Sequence, residues 1–62
     1  MTIVEYEVKK LAPTPGAKFN SRDLMHRIDG MTFERLFRGL RVLAAEGKVR
    51  FTGQHCIFER LA

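Results

Sequence analysis

The stretch DGMTFERLFRGLRVLAAEGKVRF, residues 29–51, decides the reading of the whole chain. Thr32 is an N-cap residue, whose hydroxyl can accept one of the backbone N–H groups that a helix start leaves unpaired. Gly47 can take the left-handed conformation that ends a helix. A helix is therefore predicted over Phe33–Glu46. With side chains about 100° apart around a helix, Phe33, Leu36, Leu40, Leu43 and Ala44 share one face, the expected core face. Arg38 points directly away from it. Arg35 and Arg41 flank Arg38, Glu34 and Val42 complete the outer surface, and Phe37 lies at the edge. Gly39 inside this helix costs about 0.5–1 kcal/mol relative to alanine. Its expected use is close packing against the preceding helix.

Upstream, Asn20 is a second N-cap, with Asp23 three residues on to return the hydrogen bond. Phe19 and Leu24 have the spacing of a hydrophobic staple. A short helix is predicted over Ser21–Ile28, burying Leu24, Met25 and Ile28 and ended by Asp29-Gly30. Pro13-Thr14-Pro15-Gly16 separates a first piece, Thr2–Ala12. This piece carries two patterns. Val4, Tyr6 and Val8 alternate with Glu5, Glu7 and Lys9 as in a strand, and β propensity agrees. Val4, Val8 and Leu11 also follow helical spacing, Thr2 and Glu5 form a capping box, and Pro13 would stop a helix. Helix is the reading adopted, mainly because of the elements that follow it.

Downstream, Gly53-Gln54 reads as a two-residue type II′ turn. That register pairs Thr52 with His55, Phe51 with Cys56, Val49 with Phe58 and Lys48 with Glu59. Val49, Phe51, Cys56 and Phe58 then share an apolar face. Lys48, Arg50, Thr52, His55, Ile57 and Glu59 share the other. A slip of one residue would destroy this sorting.

Helix, short helix, turn, long helix and hairpin is the order of a winged helix. FNSRDLMHRI (residues 19–28) resembles the second helix of that superfamily. Residues 29–51 resemble its turn, recognition helix, glycine stop and first wing strand. The resemblance implies an α+β fold, a single compact winged helix over 1–62 with three helices and a C-terminal β-hairpin wing. It also implies that Lys18-Phe19 is a first strand completing a three-stranded sheet. In size the chain resembles small regulators of phages, plasmids and bacterial operons.

In that class the recognition helix enters the major groove, and arginine reads guanine through paired hydrogen bonds. The resemblance thus makes Thr32, Glu34, Arg35, Arg38 and Arg41 the base-reading candidates, with Glu34 an acceptor for cytosine N4. Asn20, Ser21, Arg22, Arg27, Lys48, Arg50 and His55 become phosphate contacts at the rim, which position rather than specify. The expected partner is double-stranded DNA, and the expected role is transcriptional or recombination regulation. The bland alternative is that three outward arginines are an ordinary solvated face. A second functional reading is a protein-interaction module without DNA binding, using Phe37, Val42 or Ile57 as interface core. A third makes Thr2–Lys10 an exposed strand that pairs with another chain.

Composition agrees with a basic binding domain. Eleven Lys+Arg face seven Asp+Glu, for a formal charge of +4, which favours an anionic partner. Sixty-two residues bury roughly 60% of the unfolded surface. A chain this short often needs a staple or a partner, so a homodimer is a further expectation. Cys56 is the sole cysteine, expected as a small core residue facing Phe51. His26 and His55 are isolated, so neither a metal nor another cofactor is expected. The phenylalanines Phe19, Phe33, Phe51 and Phe58 are read as inward core rather than a base-stacking platform. No nucleophile–base pair, carboxylate pair or phosphate loop is present, so no enzymatic activity is expected. No apolar run reaches the ~20 residues of a membrane span. Glu5 and Glu7 stand where a signal peptide would be apolar, and the expected location is cytoplasmic.

Overall fold

The computed structural model describes residues 2–62, so of the single domain expected over 1–62 only Met1 lies outside the described residues. The order of elements is α1 (Ile3–Leu11), β1 (Lys18–Asn20), α2 (Ser21–Arg27), α3 (Phe33–Ala45), β2 (Val49–Phe51) and β3 (Ile57–Arg60). Three helices and a three-stranded antiparallel sheet make an α+β fold with strand order β1-β3-β2.

Side-chain oxygens start each helix. Thr2 accepts from the Glu5 N–H at 3.1 Å, Asn20 from Arg22 at 2.8 Å and Thr32 from Arg35 at 3.2 Å. The ambiguous first piece is therefore a helix, which removes the reading of Thr2–Lys10 as a strand free to pair with another chain. Helices α2 and α3 each end one residue earlier than expected, at Arg27 and Ala45. Lys18–Asn20 does form a strand, and it runs directly into α2, Asn20 serving as both its last residue and the helix cap.

Val4 and Val8 of α1, Phe19 of β1, Leu24 of α2, Leu36, Leu40 and Leu43 of α3, Val49 and Phe58 of the hairpin, and Ala12 form one core. Met25 and Ile28 pack at its margin. Gly39 is the point of closest helix approach, but to α1 rather than α2. A Cβ built there would sit 3.0 Å from Cγ2 of Val4.

The hairpin differs from expectation in register. Phe51 pairs with Phe58, Arg50 with Glu59 and Val49 with Arg60. The connection is a five-residue loop, residues 52–56, not a two-residue turn. Gly53 and Cys56 both adopt positive φ, 92° and 64°. The pairing is displaced by two residues, which leaves each strand side chain on its expected face. The loop closes on itself: the Thr52 N–H and Oγ1 both donate to the Ile57 carbonyl, and the Ile57 N–H donates to Gln54. Cys56 thus lies in the loop, half-buried, and does not face Phe51.

Candidate functional site

Two surfaces meet along α3. The first is its outer side. Thr32, Glu34, Arg35, Arg38 and Arg41 are all exposed, as expected. Their exposure follows from the core stripe of Leu36, Leu40 and Leu43, which fixes the rotation of the helix. Arg38 donates to Glu34 one turn earlier at 3.1 Å, and both side chains are largely solvated. Among the described residues, Arg35 and Arg41 have no carboxylate within ion-pair distance, and neither do Lys10, Lys18 and Arg22.

The rim expected to meet phosphates is less uniform. Arg22 and His55 are exposed, and Asn20 is half-buried with its oxygen engaged as the α2 cap. Ser21 is fully buried and cannot reach a phosphate. The direct passage of β1 into α2 turns it beneath the hairpin, where its N–H donates to the Cys56 carbonyl at 2.8 Å. Its Oγ has no hydrogen-bond partner among the described residues.

Three of the expected phosphate-binding cations are held by carboxylates. The Arg27 Nε donates to Glu7 at 2.9 Å. Arg50 donates to Glu59 at 2.6 Å across the β2–β3 pairing. Lys48 donates to Glu5 at 3.1 Å and lies 3.6 Å from Glu46. Glu5 also lies 3.7 Å from Lys9. The hydrogen bond from Lys48, aided by its charge and that of Lys9, holds the Glu5 carboxyl below the ordinary carboxylate value, against a smaller opposing effect of burial. The same bond holds Lys48 above the ordinary lysine value.

Glu5 and Glu7 are the residues that the sequence reading missed. Both are buried. On a helix they flank the Val4–Val8 stripe, so their partial burial follows once α1 is known to be helical. Their partners Lys48 and Arg27 lie 43 and 20 residues away, a distance no local pattern conveys.

The second surface is aromatic. Phe33 and Phe51, expected in the core, are 52% and 55% exposed. Ala44, also expected inward, is exposed. Helix α3 presents Phe37 and Ala44 sideways towards the hairpin, with Phe33 stacked outside Phe37, while only the three leucines point fully inward. Phe33 stacks on Phe37 at 6.0 Å between centroids, Phe37 meets Phe58 at 6.3 Å, and Phe58 meets Phe51 at 5.4 Å. Phe37, Leu40, Arg41, Ala44, Phe51 and Phe58 line an open groove of about 340 Å³ between α3 and β2.

The three residues expected to form a protein interface do not lie together. Phe37 is in this groove. Val42, half-exposed, lines a different depression with Thr2, Val4 and Gly39. Ile57 sits on the outer side of the sheet near Leu11, Lys18 and Asn20. Among the described residues, no group of three or more His, Cys, Asp or Glu side chains is placed to hold a metal, and no helix is long and apolar enough to cross a membrane. Comparison with protein families, with curated proteins and with solved structures finds no match for this chain.

Proposed function

We propose that this chain is a winged-helix domain that binds double-stranded DNA in a sequence-specific manner, as a small transcriptional or recombination regulator. In this reading α3 enters the major groove, and the β2–β3 hairpin is the wing that lies along the backbone. The observation that carries it is the arginine row of α3. Arg35, Arg38 and Arg41 are exposed on the helix that follows α2 through a short turn, away from the leucine stripe. Arginine on a groove-sized helix is the residue best suited to guanine, through two parallel hydrogen bonds. Arg35 and Arg41 have no carboxylate to displace, and the solvated Arg38–Glu34 pair is of the kind worth about 0.3–0.5 kcal/mol, easily exchanged for a phosphate or base. Arg22 and His55 are exposed for backbone contact. Arg27, Lys48 and Arg50, engaged by carboxylates, are secondary contributors at most.

The test is fluorescence anisotropy with a random-sequence duplex between about 50 and 200 mM salt. Affinity should fall steeply with salt, with a slope near −0.9 for each phosphate neutralised. Absence of binding at the lowest salt would overturn the reading.

A further inference from the structure

The arginine row does not account for the aromatic groove beside it. We propose that this groove is a docking slot for an acidic amphipathic segment of another protein. The segment seats one large apolar side chain against Phe37, Phe51 and Phe58 and turns carboxylates towards Arg41. The proposal does not rest on DNA binding.

The groove is at the small end of the range for binding pockets, roughly 300–1,000 Å³, with a volume of about 340 Å³. Its lining is apolar except for Arg41. Phe33 and Phe51 are left more than half exposed at the two ends of the aromatic row. Partly exposed aromatics around an apolar slot are the usual anchor sites of protein interfaces.

The chemistry of the lining selects the occupant. A phosphate backbone gains nothing from Phe51 and Ala44. A nucleobase seated in the slot would find no hydrogen-bonding side chain there other than Arg41. A second copy seated groove to groove would join two linings whose sole charged side chain is Arg41, on two chains of formal charge +4 each, and so would supply no carboxylate from the groove itself. A segment that alternates acidic and apolar residues meets both requirements. Its apolar anchor covers the rings, and its carboxylate meets an arginine that has no carboxylate partner among the described residues.

The experiment titrates the isotope-labelled 62-residue protein with a synthetic helix-forming peptide. One face of the peptide carries tryptophan and leucine at i, i+3 and i+7, and glutamate fills the rest. A control peptide has alanine on the apolar face. Binding should shift the NMR signals of Phe37, Leu40, Arg41, Ala44, Phe51 and Phe58 and leave Val42 and Ile57 unmoved. Phe51→Ala should weaken it on the order of tenfold or more. Arg41→Glu should weaken it about tenfold, and a peptide with lysine in place of glutamate should restore binding to that variant. This charge swap decides the matter even if Phe51→Ala fails to fold.

Five results would overturn the proposal. The peptide does not bind up to millimolar concentration, or its shifts fall elsewhere. The alanine-faced control binds equally well, which leaves only the field of a basic protein. The groove signals move on dilution of the protein alone, which assigns the face to a second copy. A DNA duplex shifts the same signals and loses about tenfold in affinity on Phe51→Ala, which assigns it to nucleic acid.

Discussion

The α1 side of the molecule and the outer side of α3 use the same residue types in opposite ways. Beside α1, cations are held by carboxylates: Glu5 takes Lys48 and Lys9, and Glu7 takes Arg27. Each of these links joins α1 to a distant part of the chain or stiffens its surface. On α3, Arg35 and Arg41 have no such partner among the described residues, and Arg38 has only a solvated one. A net charge of +4 does not distinguish the two situations. A cation beside a buried carboxylate is part of the scaffold, whereas one on a solvated helix face remains available to an anion.

On the proposed function, the comparison breaks most visibly in the affinity for duplex DNA. The double variant Arg35→Ala/Arg41→Ala should lose about 2–4 kcal/mol of binding, some thirty- to a thousandfold. Its thermal midpoint should stay within a few degrees of the parent, because neither side chain holds another element. Arg27→Ala should do the reverse. It strips the buried Glu7 of its partner and should cost about 1–2 kcal/mol of stability, with duplex affinity within about threefold of the parent. Anisotropy and thermal melts on the three proteins separate the two classes. A loss of DNA affinity in Arg27→Ala larger than in the double variant would show that the division by ion pairing is wrong.

The contact between α1 and α3 gives the next effect. Gly39 has Val4 Cγ2 3.0 Å from where its Cβ would be. Gly39→Val should push the helices apart and cost about 1–3 kcal/mol, the usual range for overpacking. Removing the obstruction in Gly39→Val/Val4→Ala should recover part of that loss, a coupling that denaturant melts on a double-mutant cycle measure directly. Additive costs would mean that Gly39 is not the point where the helices touch.

The legibility of the fold follows the same division between local and distant causes. The caps at Thr2, Asn20 and Thr32 and the leucine stripe of α3 are local, and each lies where the residues put it. The hairpin register was not legible. A displacement of two residues keeps Val49 and Phe51 on one face and Arg50 on the other, so the alternation of side chains is satisfied either way. The structure adopts the pairing that sets Phe51 against Phe58 and closes the loop through Thr52 and Ile57. The exposed arginines of α3 were legible because the core stripe dictates what faces outward. The burial of Ser21, the exposure of Phe33 and Phe51, and the capture of Lys48 by Glu5 were not. Each depends on which element packs over that residue from elsewhere in the chain.

Acid sharpens the contrast, because it removes the Glu5 charge that holds Lys48 and Lys9 beside α1. The Glu5 carboxyl titrates below its ordinary value of 4.5 in the folded protein. The unfolded chain therefore binds the proton first, and the stabilisation is complete above the unfolded value. It is lost as pH falls through the lower, folded value. Lys48 titrates above its ordinary value of 10.5, so its share is complete below that value and is lost only as pH rises through the higher folded one. Between pH 6 and 9 both shares are flat. Urea midpoints of the parent and Glu5→Gln should differ by a constant amount across neutral pH, and the difference should shrink as pH falls below the ordinary carboxyl value of 4.5 and through the lower folded one. A difference that stays undiminished down to the acid unfolding of the parent would show that the Glu5 carboxylate is not what ties the start of β2 to α1.

The smallest expected effect falls on the one pair that belongs to both descriptions. Arg38 and Glu34 are an ion pair by distance, yet they are 68% and 80% exposed at the side chain. Exposed pairs one turn apart contribute about 0.3–0.5 kcal/mol, so Glu34→Gln should change the thermal midpoint by no more than a few degrees. Its effect on DNA depends on what Glu34 does there. If it only competes with DNA for Arg38, its removal frees a cation and lowers local repulsion, and affinity for every duplex should rise severalfold with a steeper salt slope. If Glu34 accepts from a cytosine amine, affinity for random duplexes should still rise while preference among sequences falls. Salt titrations on random duplexes, followed by selection from a randomised pool, separate these outcomes. An unchanged affinity would place Glu34 and Arg38 outside the contact, and the interface would then be confined to Arg35, Arg41 and the surfaces flanking them.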